Sequence, residues 1–268
     1  MNICLFSAEE IGKPLDLRDR RAEHIIKILH KKEGESFAAG VIGGMAGKAV
    51  IKAVRSKEEF TSDGKKSFTS GTLEYEFEPL TDGKPLYPLQ MVIGFPRPIQ
   101  LKRLLRDMAG LGVQKIHLVA TELGEKSYLK SDLATSDSGY EMLKEGSEQA
   151  ASTHLPALFF YNSLKECLGS LQKAADWKNN VKAALDNVGA EQSLNSFLNC
   201  KFSLQSEQRS PFEVTAAIGS ERGWSQNERF LLEGAGFTRL SMGQRILRTE
   251  TAATVAASLI LGRMGYLE

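Results

Sequence analysis

Over the first eighty residues the apolar positions come in short runs broken by glycine. AGVIGGMAGKAVIKAV, at residues 39–54, predicts a β-hairpin in which Gly43, Gly44 and Gly47 supply turn conformations closed to other residues. TLEYEFEPL, at 72–80, alternates Leu73, Tyr75 and Phe77 with Glu74, Glu76 and Glu78, the period-two signature of a half-exposed strand. RRAEHIIKILHKKEG predicts one helix, with Ile25, Ile28 and Leu29 on one face and Gly34 as its stop. These elements describe a small barrel or sandwich. TDGKPLYP, at 81–88, joins Asp-Gly to two prolines and suits neither a helix nor a central strand, so the domain boundary is placed there.

After residue 88 the rhythm changes. The apolar runs LQMVIGF, KIHLVAT, VKAALDN and EVTAAIGS alternate with helical stretches, which predicts parallel strands joined by crossover helices. In PIQLKRLLRDMAGLG, Leu101, Leu104, Leu105, Met108 and Leu111 repeat at helical spacing, while Lys102, Arg103 and Arg106 fall on other faces. SGYEMLKEGSEQAAS predicts another helix. The alanine-rich TETAATVAASLILG predicts a last one, starting at a threonine cap and able to approach a neighbour or ligand closely. The expected architecture is thus α/β, with a β-rich domain over residues 1–80 and an α/β domain over 81–268.

Composition narrows the function without naming it. The 268 residues, 42% of them hydrophobic, suffice for one large or two modest domains. With 34 Lys and Arg against 33 Asp and Glu, a histone-like or acidic-tail protein is excluded, and any nucleic-acid surface must be local. Cys4, Cys167 and Cys200 are few, scattered and odd in number, which argues against a disulfide framework or a thiolate zinc site and for a reducing cytoplasm. MNICLFSAEE has no basic region before its apolar residues, and the run Thr251 to Gly262 is too short for a bilayer, so no membrane association is expected.

The common chemical signatures are missing. No G-x-G-x-x-G occurs, and DGKKS at 63–67 has Glu59 where a phosphate-binding loop needs its first glycine. His24, His30, His117 and His154 show no ligand spacing, so no metal is expected. There is no G-x-S-x-G elbow. What remains is a pair of glycine-punctuated loops at predicted strand ends. EVTAAI runs into Gly219-Ser220-Glu221-Arg222-Gly223-Trp224-Ser225, and FTRLSM runs into Gly243-Gln244-Arg245-Ile246-Leu247-Arg248-Thr249-Glu250-Thr251-Ala252. Ligands of parallel α/β sheets sit outside the carboxyl ends of strands, which makes these loops the default site.

At these loops IGSERGWSQNE and LSMGQRILRTETAA resemble the IGPEGGFS…E and LGxRILRTETA motifs of the RsmE family, the bacterial 16S ribosomal RNA uridine N3-methyltransferases. The resemblance extends through EQAASTHLP, GLGVQKIHLVAT and HIIKILHKKEGE, most of the chain. It departs from the family pattern at Ser220, Arg222, Gly110, Ser152 and His30, whereas RILRTETA is intact. It implies a PUA-like N-terminal RNA-binding β-barrel and a C-terminal SPOUT domain, an α/β trefoil-knot methyltransferase fold acting as a homodimer with S-adenosylmethionine. The implied substrate is 16S rRNA or the small ribosomal subunit. Two other readings stay open: a non-catalytic RNA-binding or ribosome-assembly factor on the same scaffold, and a SPOUT methyltransferase directed at another RNA nucleotide.

On that resemblance, Ile218, Met242, Ile246 and Leu247 are expected to wrap the adenine. Gly219, Gly223 and Gly243 would let the backbone approach, the strand-end loop Leu185 to Asn187 would meet the ribose or methionine part, and Thr251 would complete the cofactor contacts. Arg248 and Arg245 are candidates to stabilise charge on the uracil carbonyls, and Glu250 or Glu221 to accept the N3 proton. For RNA, residues 97–130 hold seven Lys and Arg against three acids, a net of +4, with Lys102, Arg103, Arg106 and Lys126 as phosphate contacts. Lys27, Lys31 and Lys32 would extend the track, and Tyr128 and Trp224 are candidates for stacking an unpaired base.

Overall fold

A computed structural model describes residues 1–60, 67–130, 136–203 and 213–267; most of the DGKKS run lies outside them. The chain divides into two compact units, Met1–Pro85 with Ser147–Leu155, and Leu86–Gly146 with Pro156–Glu268. The division at Pro85 lies within the TDGKPLYP segment, a few residues past the 80/81 limit. The EQAASTHLP segment, expected in the second unit, belongs to the first.

In the first unit, β1 (Cys4–Phe6), β2 (Leu15–Asp16), β3 (Ser36–Val41), β4 (Ala46–Phe60) and β5 (Ser67–Thr81) form one sheet in the order β1-β3-β4-β5-β2. β3, β4 and β5 are an antiparallel meander, and β1 adds in parallel to β3. Leu73 and Tyr75 of β5 point into a core with Phe6, Ile25, Phe37 and Ile51, while Glu76 and Glu78 stay outside and pair with Lys52 and Lys48. This sheet accords with the small PUA-like β domain that the resemblance implies. The helix expected over residues 20–34 is shorter. α1 (Arg20–Glu23) passes into a wide π turn over His24–Ile28, which buries Ile25 but leaves Ile28 and Leu29 exposed. Arg21 anchors α1, its guanidinium donating to Glu10, Asp19 and the Leu5 carbonyl. The returning segment is hydrogen-bonded into this unit: Thr153 Oγ1 donates to the Gly44 carbonyl at 2.7 Å, and Gly43 N–H to the Thr153 carbonyl at 2.8 Å.

The second unit contains β6 (Tyr87–Gly94), α2 (Pro98–Gly110), β7 (Val113–Val119), α3 (Ser136–Gln149, which runs into the first unit), β8 (Ala157–Tyr161), α4 (Leu164–Leu171), β9 (Val181–Leu185), β10 (Gln192–Ser193), α5 (Leu194–Ser203), β11 (Val214–Ile218), α6 (Gln226–Gly234), β12 (Thr238–Ser241) and α7 (Thr249–Arg263). The seven strands are parallel throughout, in the order β10-β12-β9-β11-β6-β7-β8. From β6 the chain builds outward through β7 to β8, then crosses to the other side for β9. The order reverses at β6 and β11, the kind of switch point where open α/β sheets hold ligands. Pro88 sits in β6, a central strand, against the expectation for TDGKPLYP. The β6–β7 register is irregular between Tyr87 and Gln90, which spares the proline a ladder bond.

Leu101, Leu104, Leu105 and Met108 are buried on α2, which packs on α7 as its apolar spacing requires. α7 also lies on β6 and β11, its Ala253, Ala256 and Ala257 letting the helix come close to the sheet. α4 and α6 pack together in another core with Val92, Val119, Ala217, Trp224 and Phe237.

Candidate functional site

β9, β11 and β12 are neighbours and end together. Ile218 pairs with Leu185, Leu185 pairs with Leu240, and Asp186 N–H donates to the Leu240 carbonyl at 3.0 Å. Three chain segments leave these ends: 185–188, 218–225 and 241–249. Between them lies a cleft enclosing about 610 Å³, part of it open to solvent.

The middle segment is a tight turn. Gly223 N–H donates to the Ser220 carbonyl at 2.8 Å, and Gly223 has a φ of +75°, which a β-carbon would strain. A β-carbon on Gly219 would come within 2.7 Å of the Gly223 backbone, so the turn closes only over glycine. Behind it, α6 starts at a capping box. Ser225 Oγ accepts from Glu228 N–H at 3.1 Å, and the Glu228 carboxylate accepts from Ser225 N–H at 2.9 Å. Glu228, nearly fully buried, also accepts Glu122 N–H at 3.0 Å. Glu122 in turn takes hydrogen bonds from Ser225 Oγ and from Asn227 Nδ2, and these hold its carboxyl below the usual range. The segment after β7 is thereby fixed to the segment after β11.

Of the residues expected around the cofactor, Leu185, Ile218, Gly219, Gly223, Met242, Ile246 and Leu247 line the cleft. Gly243 and Thr251 do not; Gly243 makes the bend after β12 with φ +105°, and Thr251 faces outward on α7. Ile246 is 86% exposed, an apolar side chain held at the rim with no protein partner wrapped around it. Asp186 and Asn187, of the same expected loop as Leu185, line the cleft too, and the structure adds Thr249 and Ala252 to the walls. Thr249 does not cap α7; the cap position is Arg248, without a side-chain bond, and Thr249 Oγ1 lies 3.4 Å from the Gly219 carbonyl.

The candidate catalytic residues separate. Arg245 lines the cleft and is exposed, whereas Arg248 is exposed at the start of α7 and outside the cleft walls. Glu250 is buried in the first turn of α7, where the helix dipole favours a carboxylate, and it too lies outside the walls. Glu221 is in the wall, its carboxylate 3.4 Å from the Arg97 guanidinium.

The expected RNA face is less positive than its sequence. Arg106 pairs with Glu145 at 2.7 Å and Lys115 with Glu213 at 3.3 Å, while Lys102, Arg103 and Lys126 are exposed. Lys27 pairs with Glu23 at 2.8 Å. Trp224 cannot stack on a free base, because it is buried in the core behind the turn; its indole Nε1 has no hydrogen-bond partner there. The residues that sequence reasoning missed are those that brace the loops, chiefly Arg229 and Glu228. The one sequence signal is position, since Glu228 stands three residues after Ser225. No group of side chains able to hold a metal occurs among the described residues, and no helix among them is long and apolar enough to cross a membrane.

A parallel sheet whose last strands open into a glycine-turn cleft is the architecture of the SPOUT-type RNA methyltransferases, and the family model for an RNA methyltransferase domain matches residues 83–261. A ribosomal RNA small subunit methyltransferase E of Neisseria gonorrhoeae, in a crystal structure with bound S-adenosylmethionine, has the same fold. Its TM-score is 0.66 at 21% identity, covering 98% of this chain and 97% of that one. Ribosomal RNA small subunit methyltransferase E of Treponema pallidum is 39% identical over 97% of this chain and 91% of its own length. Ribosomal RNA small subunit methyltransferase E 1 of Borreliella burgdorferi is 31% identical over 97% of each. The chain belongs to the ribosomal RNA small subunit methyltransferase E family.

Proposed function

We propose that this protein transfers a methyl group from S-adenosylmethionine to N3 of a uridine in 16S ribosomal RNA. One observation carries the reading: the RILRTETA turn brings Arg245, Ile246, Leu247 and Thr249 into a single cleft with the Gly219–Gly223 turn and the segment after β9.

The cleft suits the methyl donor. Ile218, Met242 and Leu247 offer apolar surface to an adenine, and the glycine turn presents backbone where a β-carbon would block it. Asp186 and Asn187 supply polar groups for the ribose or the methionine portion. S-adenosylmethionine, when bound, supplies a methyl carbon activated by a sulfonium. The chain must then position the acceptor and manage its proton. Uracil N3 carries a hydrogen, and its lone pair becomes available for attack only as that proton leaves. Glu221, in the cleft wall, is placed to take it, and Arg97 beside it sets its orientation. The charge left on the imide spreads onto the two carbonyl oxygens, where the Arg245 guanidinium stabilises it.

The protein acts as a homodimer in the cytoplasm on this reading. Exposed Ile99 on α2 and Leu259 on α7, two helices packed on each other, supply apolar surface for a second copy, and light scattering tests this. Calorimetric titration with S-adenosylmethionine tests the cleft. Saturable binding that Gly223→Val abolishes in a folded protein is the expected result, and no binding by the native protein overturns the reading.

A further inference from the structure

A larger pocket opens beside the cleft, outside the carboxyl ends of β6, β7 and β8. It encloses about 930 Å³ including space open to solvent, and is lined by Phe95, Thr121, Lys126, Leu129, Asn162 and Ser163 among others. A third hollow of about 410 Å³ joins the two. It shares Ser220 and Glu221 with the cofactor cleft, and Phe95, Gly124 and Glu125 with the large pocket. Arg97 and Arg222 stand along this connecting stretch. Through these shared walls the three run along the carboxyl ends of the strands, from the proposed methyl-transfer site towards β8.

We infer that the large pocket receives a second, unstacked nucleobase of the substrate RNA, close in sequence to the methylated uridine. This rests on the reading of the cleft as the methyl-transfer site. A nucleobase has two flat apolar faces and an edge of donors and acceptors. The pocket has matching parts: exposed Leu129, with the small part of Phe95 that is not buried, for a face, and polar groups that the protein itself leaves unused for the edge. Thr121 Oγ1 is buried and has no hydrogen-bond partner. Such a group is costly to leave unsatisfied; shielded from solvent as it stands, it meets a ligand edge by turning about χ1 into the pocket that its side chain lines. Asn162 is exposed; its backbone N–H goes to Glu166, and no hydrogen bond of its carboxamide is found among the described residues. Ser163 Oγ, by contrast, is occupied as the cap of α4. Glu122 is likewise occupied by Ser225 and Asn227; the second carboxylate in the wall, Glu125, is exposed and stands beside Lys126. The cations lie where the backbone would run: Lys126 at the pocket, Arg222 and Arg97 on the path to the cleft. Arg97 is held by Tyr128 Oη, which accepts from its Nε at 3.0 Å, and by Glu221.

The bonds that fix Glu122 to Ser225 and Glu228 also make the floor of this pocket and the cofactor turn one rigid piece. A base seated against Thr121 would set the distance from its neighbour to the methyl donor. The pocket is in this sense a ruler for the target position.

The test uses the full-length protein, S-adenosylmethionine and small ribosomal subunits from a strain that lacks the modification. The variant is Thr121→Val with Asn162→Ala, one isosteric change and one at an exposed position. The expected result is a KM for the subunit raised at least about tenfold, with kcat and the S-adenosylmethionine Kd within about twofold of the native values. A 4-thiouridine-substituted 16S RNA should also give a photocrosslink to the peptide containing Tyr128 and Leu129, and the variant should lose it. An unchanged KM overturns the proposal. So does a changed oligomeric state in light scattering, which would assign the pocket to a second copy of the chain. If the native protein neither binds S-adenosylmethionine nor methylates the RNA, it is the proposed activity that fails.

Discussion

Asp186 and Arg229 meet at 2.7 Å at the edge of the cleft, both largely shielded from solvent. Asp186 leaves the end of β9 and Arg229 lies on α6, so this ion pair joins two of the segments that shape the site. Asp186 Oδ1 also accepts Val188 N–H at 3.0 Å, which gives the 185–188 segment its bend. Arg229→Met removes one member and leaves a carboxylate uncompensated in a shielded place. We expect a loss of about 3 kcal/mol of stability in urea unfolding, together with weaker S-adenosylmethionine binding. Unchanged binding would show that the bend is set by the backbone alone.

The two arginines of RILRTETA should behave differently. Arg245→Ala is expected to lower kcat by about 100-fold, the scale of losing one group that stabilises developing charge, with the S-adenosylmethionine Kd little changed. Arg248→Ala, outside the cleft walls, should cost less than tenfold. Steady-state kinetics on small subunits distinguish them, and the opposite ranking would move the charge-stabilising role to Arg248.

Gly219→Ala puts a methyl group within 2.7 Å of the Gly223 backbone, and that backbone has no flexible end to swing away. The turn must open. Loss of saturable S-adenosylmethionine binding is expected, with thermal unfolding shifted down by several degrees. Gly110→Ala, where a β-carbon meets nothing within 4 Å, is the control and should leave both unchanged.

Stability should fall in mild acid through His117. Burial, with Lys115 nearby, pushes its imidazole down from 6.5 to about 4, and Nε2 lies 3.0 Å from Gln90 Oε1 between strands β6 and β7. The unfolded chain binds a proton there near pH 6.5, while the folded chain resists it until near pH 4. The contribution is therefore fully present above about pH 6.5 and is lost as the pH falls to 4, by up to about 3 kcal/mol. His117→Phe should flatten this part of the curve in urea unfolding at pH 7 and pH 4.5. A curve as steep as the native one would place the acid sensitivity elsewhere.

Exposed Lys102 and Arg103 are candidates for phosphate contact. Replacing both by alanine should weaken RNA binding without changing which uridine is modified, and should flatten the dependence of log K on log salt by about 0.7 per contact for single-stranded RNA. An unchanged slope would mean that these side chains never reach the backbone of the substrate.

Local patterns carried much of this architecture. The alternation in TLEYEFEPL, the four apolar runs and the spacing of Leu101 to Met108 each reappear as the element they specify, because burial on one face leaves a periodic trace. The helix expected at residues 20–34 failed for a related reason. Ala22 and Ile25 enter the core with Ile26 packed against it, and where the turn widens Ile28 and Leu29 face outward. Pro88 lies in a strand where composition predicts a break, because composition does not show a register irregularity. At the site, strand ends followed by glycine turns were visible, so most of the cleft lining could be named. The side chains that brace it were not, since Arg229 meets Asp186 and Glu228 meets Glu122 only through the crossovers of the sheet. The neutralisation of Arg106 by Glu145 was hidden in the same way. The RsmE resemblance points to loops that line the cleft but does not show that Arg245 lines it while Arg248 lies outside.

The central claim is that the turns after β9, β11 and β12 hold a methyl donor for uracil N3. The most direct measurement incubates the protein with methyl-labelled S-adenosylmethionine and 16S RNA, in assembled small subunits, from a strain lacking the modification, followed by nucleoside analysis. Label recovered as N3-methyluridine at one position, and lost with Gly219→Ala, is the predicted result. Label on another nucleoside, or none, would contradict it.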